Sequence, residues 1–230
     1  MNTAGFIAGW RAGVDRAFAI RSLGVALATL GLVAIVSIAK KRGGLYGAAN
    51  RALEGEVFGL ILPLALLWAS RRVLEPTRLD TAAMSLARFG PSRRLVALGL
   101  IAASVAIGAA FAAIAAASTA LLAHDPTAPS AALDVFTCAW IGALTAAAYA
   151  ALYAAGATFG ARGGGRFWAL GLDFVVGGTG GVAALFVPRG HAKNLLGGEP
   201  PLLLSQPASA ALLVVIAVAF TALALRRCAP

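Results

Sequence analysis

This chain is poor in charge, sulfur and histidine. Only 12% of its 230 residues are Asp, Glu, Lys or Arg, about half of the roughly 25% usual in soluble domains. Two histidines, His124 and His191, and two cysteines, Cys138 and Cys228, are too few and too scattered for a zinc site or a disulfide framework. Cys138 lies inside an apolar run and Cys228 in the C-terminal tail, where small packing roles suffice. No GxSxG, HExxH or GxxxxGK[ST] pattern occurs, and no apolar run carries paired glutamates. GARGGGRF (160–167) has glycines but neither the lysine nor the hydroxyl residue of a phosphate loop. No long hydrophilic stretch remains to form a separate soluble domain. The expectation is a chain with no catalytic, nucleotide-binding or metal motif of its own.

What the chain does contain is grease. Hydrophobic residues make up 60% of it, and the mean hydropathy is +0.85. Apolar runs near or above the ~20 residues needed to cross a bilayer recur at 19–39, 55–70 (short), 95–122, 132–156, 167–187 and 208–225. The sequence therefore reads as an all-α integral membrane protein, a single transmembrane domain over 1–230 with six spans. The first run is long for a signal-peptide core and has no small-x-small cleavage site before Lys40, so it reads as a retained span.

The net charge of +10 sits at the ends of the apolar runs, as topology signals do, and not in a patch suited to nucleic acid. If the N-terminus is inside, thirteen basic residues fall on the inner side, six of them in 71–94, and six on the outer side. Both termini are thus expected in the cytoplasm of a multi-pass protein of the inner membrane, with the basic loop 40–51 dissenting.

The segment RRVLEPTRLDTAAMSLARFGPSRR (71–94) is the longest polar stretch. Pro76 can start a helix, Thr77 and Asp80 have capping-box spacing, and Gly90 followed by Pro91 supplies a stop. A short surface helix over 77–89 results. Leu79, Ala83, Leu86 and Phe89 fall on one face, and Arg78, Thr81, Ser85 and Arg88 on the other. Its apolar face is too small to fold alone, so it must pack on lipid, on the spans or on another protein. A linker that only enforces orientation is the simpler alternative.

Before the first span, Phe6, Ile7, Trp10, Val14 and Phe18 recur at steps of three and four, with Arg11 one turn from Asp15. This predicts an amphipathic helix over 1–18 lying in the membrane interface. The third run is alanine-rich with Gly99 and Gly108, and Gly177 and Gly181 form a GxxxG pair in the fifth; both suit close helix packing in lipid. Asp173, in that fifth run, reads either as part of a translocation path or polar helix contact, or as an interfacial acid near Arg166. Glu54 and Glu56 can cap the second span, and Asp134 the fourth. The last outer stretch, 188–207, is broken by Pro188, Gly197–Gly198, Pro200–Pro201 and Pro207 into short pieces.

This order of parts resembles the membrane subunit of ATP-binding-cassette exporters of the ABC-2 type. The resemblance spans an interfacial helix at 4–18, six spans, a cytoplasmic helix at 77–89 and a broken outer segment at 188–207. LARFGPSRRLVALGLIAAS is similar to that family's passage from coupling helix into third span, and HAKNLLGGEPPLLLSQPASAALLV to its closing segment; Glu75 departs from the family's Glu-x-x-x-Gly-Thr run. The resemblance implies a homodimer or heterodimer of permeases in membrane lipid, exporting a hydrophobic or amphipathic substrate. A separate ATPase subunit would hold the ATP and Mg. Arg78, Arg88 and Arg93 are then expected to meet acidic ATPase surface, and Leu86 and Phe89 to fill a groove on it. Rival readings are an energy-coupling-factor importer subunit, an intramembrane enzyme, and a non-transporting assembly or signalling subunit.

Overall fold

The computed structural model describes residues 3–43, 47–75, 77–88, 92–125 and 130–228. Among them there are helices and turns and no strand, as an all-α membrane protein requires. The helices are α1 (Ala4–Ala17), α2 (Ile20–Arg42), α3 (Ala48–Val73), α4 (Leu79–Ala87), α5 (Arg93–Leu122), α6 (Ala131–Gly156), α7 (Gly165–Val176), α8 (Pro188–Leu195) and α9 (Gln206–Arg227). Five of these, α2, α3, α5, α6 and α9, are long and apolar enough to cross a membrane.

The fifth apolar run departs from the expected single span. Helix α7 ends after 12 residues, Gly177 closes it, and the chain turns through GGTGG into a 3-10 turn over Val182–Phe186. Each glycine costs a helix about 1 kcal/mol relative to alanine, and four in five positions stop propagation. Gly177 and Gly181 therefore do not share a helical face: the first closes α7 and the second precedes the 3-10 turn.

Small residues set the centre of the fold. Helices α5 and α6 form the most extensive pair, and a Cβ on Gly142 would sit 2.6 Å from the Ala112 carbonyl oxygen. Helix α1 lies along α5 on a face made of Gly5, Gly9 and Gly13, all buried. A Cβ on Gly9 would run into the Val96 carbonyl, and one on Gly99 into the Phe6 carbonyl and, at 2.7 Å, the Trp10 nitrogen. The two helices touch backbone to backbone, as small-xxx-small helices do where lipid removes the hydrophobic drive. The apolar stripe expected to lie in the membrane interface flanks this contact, with Phe6 and Trp10 half-buried and Ile7 exposed.

Helix α3 opens into a π-helix over Ala52–Ile61. Its cause is Pro63, which has no N–H to give the fourth residue back and whose ring crowds that carbonyl; just before it, the Leu62 N–H reaches back to Val57 instead. Wide turns of this kind cluster at working parts of proteins, and this one carries Glu54 and Glu56. Helix α2 is peripheral: 17% of its apolar window is buried, against 56% for α3.

Gly99→Val is expected to lower the thermal midpoint of the detergent-purified protein by the equivalent of about 1–3 kcal/mol, the usual cost of overpacking. Tryptic cleavage at Arg11 and Arg16 should rise in parallel. Gly24→Ala, where a Cβ meets nothing within 4 Å, should change neither; equal effects at the two sites would refute the close contact.

Candidate functional site

Helix α4 starts one residue later than its sequence suggests. Arg78 holds the N-cap position in extended backbone, and the Thr77–Asp80 capping box does not form. Thr77 Oγ1 lies 3.4 Å from the Arg78 carbonyl. Asp80 accepts Arg78 Nε and Nη2 at 3.1 and 3.0 Å, and the Thr81 N–H at 2.9 Å. The late start puts Asp80 in the second helical position, one short of the place from which a capping box reaches back. Pro76, Phe89, Gly90 and Pro91, and with them the expected start, stop and Phe89 contact, lie outside the described residues.

The inward face of α4 is Leu79, Ala82 and Ala83, buried against Val73, Leu74, Val96, Ala97 and Leu100. Leu86 packs on this same cluster, half-buried. It does so because it sits seven residues from Leu79, on the same helical stripe, and its other side stays open. The outward face carries Arg78, Thr81, Ser85, Arg88 and Met84, the last 47% exposed. Arg93, on the first turn of α5, is half-exposed.

Arg166 fixes this segment to the rest of the molecule. Its side chain is among the largest fully buried ones, at 1% exposure. Nε donates to the Gly163 carbonyl at 3.1 Å, Nη1 to that of Glu75 at 3.3 Å and Nη2 to that of Thr77 at 2.8 Å. The Leu79 N–H donates to the Ala157 carbonyl at 3.2 Å. Gly163 has φ +68°, and a Cβ there would lie 2.6 Å from the Thr77 carbonyl oxygen, so the loop can close on the segment only with glycine. Glu75 also adopts a left-handed conformation, φ 63°. Its carboxylate pairs with Arg16 at 2.5 Å, and Arg16 Nη1 donates to the Val73 carbonyl at 3.1 Å. The turn leading into α4 is therefore held from α1 on one side and from the α6–α7 loop on the other. As a sequence, GARGGGRF offered only two more orientation charges; the clue to Arg166 was its position in a glycine-rich bend that lets backbone come close.

At the opposite end, Asp173 is fully buried, at 0% exposure. Tyr149 Oη donates to its Oδ2 at 2.6 Å and the Arg189 N–H to its Oδ1 at 3.1 Å. It thus joins α6 and α7 to the first turn of α8, where a carboxylate meets the positive end of the helix. Gly177 permits this, since a Cβ there would lie 2.7 Å from that of Arg189. Beside it opens a cavity of about 440 Å³ whose lining includes Lys40, Arg51, Glu54, Glu56, Arg189 and Lys193. Lys40 pairs with Glu56 at 2.6 Å and Lys193 with Glu54 at 3.3 Å. The two glutamates expected to cap a helix end thus face lysines across the cavity mouth. Asp173 itself is not in the lining, and its chemistry is that of a structural tie.

His191 is also fully buried. Its Nε2 lies 3.1 Å from the Leu185 carbonyl and its Nδ1 3.2 Å from Ser209 Oγ. A carbonyl only accepts, so Nε2 carries the proton and Nδ1 accepts from the serine. Asn194 Nδ2 donates to Ser209 Oγ at 2.8 Å and to the Leu204 carbonyl at 2.9 Å. The broken 188–207 segment is thus closed by polar bonds among its own pieces and α9. The signal in the sequence was His191 and Asn194, three apart and so on one helical face. No group of three or more His, Cys, Asp or Glu side chains suited to a metal occurs among the described residues.

Comparison with family models, with curated proteins and with solved structures finds no match. The functional reading must stand on these contacts.

Arg166→Gln should cost about 3 kcal/mol of stability by leaving buried carbonyls unpaired, read as a lower thermal midpoint with faster tryptic cleavage at Arg78 and Arg88. A midpoint unchanged from wild type would show that the clamp holds nothing. The His191 network makes a second expectation. Burial pushes the imidazole below its ordinary value, so the fold holds it neutral while the unfolded chain takes up a proton below pH ~6.5. Stability should be level above that pH and fall as pH drops from it toward the lower folded-state value. His191→Gln should flatten the profile of thermal midpoint between pH 8 and 5.

Proposed function

We propose that the chain is the permease subunit of an ATP-binding-cassette exporter of the ABC-2 type, set in the inner membrane with both termini cytoplasmic. Two copies, or one copy and a related chain, form the membrane path for a hydrophobic or amphipathic substrate. A separate ATPase subunit binds ATP and Mg and drives it.

The observation that carries this reading is the attachment of α4. Its inner face is packed on the bundle, and its entry is clamped by Arg166 and Arg16, while Arg78, Met84 and Arg88 face outward. A helix held this way moves with the spans when a partner presses on it. Force enters at α4 and passes to α1, α5 and the α6–α7 loop. The six-pass topology of this proposal takes α7 and the turn after it as the fifth crossing. Arg166 at its start bonds to Glu75 and Thr77, and Gly177 at its end lines the cavity with Lys40 and Glu56.

One observation favours a second reading, a non-transporting assembly or signalling subunit on the same scaffold. Asp173, for which a place in a translocation path was one of the expected roles, is sealed by Tyr149 and Arg189. ATPase activity of the purified complex that rises with a candidate substrate supports transport, and activity indifferent to every substrate supports the scaffold.

The contact itself is tested by Met84→Asp with Arg88→Glu. Both residues face away from the core, so membrane insertion and thermal midpoint should be unchanged. Recovery of the ATPase on affinity purification should drop roughly thirtyfold, in line with losing about 2 kcal/mol at a central interface residue. Undiminished recovery would remove α4 from the coupling role.

A further inference from the structure

At the arginine-rich end of the bundle two cavities meet. One, of about 490 Å³, is lined by Arg16, Ala19, Trp68, Arg71, Arg72 and Glu75. The other is an apolar groove running along the seam of α2 with α3 and α5, past Val25, Ala26, Leu66, Ala69, Ile107 and Phe111. They share Trp68 and Arg72. A basic chamber thus opens into a greasy slot at the level where polar segment gives way to span.

The charges in the chamber do not cancel. Glu75 is committed to Arg16. Arg71 lies over the Phe167 ring at 5.1 Å and Arg72 over the Trp68 ring at 5.6 Å. Stacking orients a guanidinium and leaves its N–H edge free to bind, but it brings no negative charge. Two cations therefore line one chamber with no carboxylate of their own, beside a tryptophan of the kind that settles at headgroup level. The groove below has the complementary deficit, an apolar lining without an apolar filler, along the least buried of the helices that flank it.

We propose that this composite pocket binds one anionic phospholipid from the leaflet at the arginine-rich end. The phosphodiester sits between the Arg71 and Arg72 guanidiniums, and one acyl chain lies along α2 in the groove. A bidentate guanidinium–phosphate pair supplies direction as well as energy, and basic pockets between spans suit anionic headgroups. The bound chain fills the seam that α2 leaves open and fastens α2 to α3. The site is independent of any ATPase and of whether the protein transports.

The test uses the full chain in lipid nanodiscs of phosphatidylglycerol mixed with phosphatidylcholine, released into native mass spectrometry. The expected result is one retained lipid per chain, with phosphatidylglycerol favoured roughly thirtyfold over phosphatidylcholine, as two near-surface arginines warrant. Arg71→Gln with Arg72→Gln should abolish the preference. Ala26→Phe, which blocks the groove and leaves both arginines in place, should abolish retention; it provides the second reading if the first variant folds poorly. Equal retention of both lipids by the wild type overturns the proposal. So does displacement by inorganic phosphate at concentrations equal to the lipid's, which would mark a free-anion site, and so does undiminished retention in Ala26→Phe.

Discussion

A single buried guanidinium organises the arginine-rich end. A buried charge is tolerable only when it is well hydrogen-bonded, and all three guanidinium nitrogens of Arg166 donate to backbone carbonyls, those of Gly163, Glu75 and Thr77. Because its partners are main-chain atoms, the bonds fix the path of the chain and not merely the pose of side chains. The left-handed turn at Glu75, the late start of α4 and the close approach of the glycine loop all follow from where those carbonyls must point. α4 is a defined surface because Arg166 is a defined anchor.

The architecture was largely legible because membrane crossing leaves a coarse signal. Length and hydropathy located α2, α5, α6 and α9 within a few residues, since a bilayer demands long unbroken helices, but placed the start of α3 seven residues late, at 55 and not Ala48. The same signal failed at 167–187, where apolar character continued but helix did not: hydropathy does not weigh the glycines of GGTGG, and backbone entropy does. Apolar periodicity is also silent on how α1 docks, through the glycine row at 5, 9 and 13. That spacing was present in the sequence, but the identity of its partner, Gly99, depends on a contact made across some ninety residues.

The candidate surface was half legible. The polar segment, its short helix and the exposure of Arg78 and Arg88 followed from charge and periodicity. The surroundings of Leu86 did not, because an apolar stripe says only that something is covered, not by whom; here the chain covers one side of it. The Asp80 cap failed for want of one residue of register. Asp173 and His191 were recognisable as unusual, but their meaning lay in partners on other elements, Tyr149 and Arg189 for one, Ser209 and Asn194 for the other.

The shortness of α7 has a consequence for the membrane itself. Twelve residues at 1.5 Å rise make about 18 Å of helix, against a hydrocarbon core of about 30 Å. In the six-pass topology proposed above, lipid beside α7 must compress to match, or water must descend to its glycine end. The cavity lined by Lys40, Arg51, Glu56 and Arg189 also takes in Gly177, at that end, so in the same topology its ion pairs lie beside the thinned lipid. In that topology the two aqueous phases lie closer together beside α7 than elsewhere around the bundle.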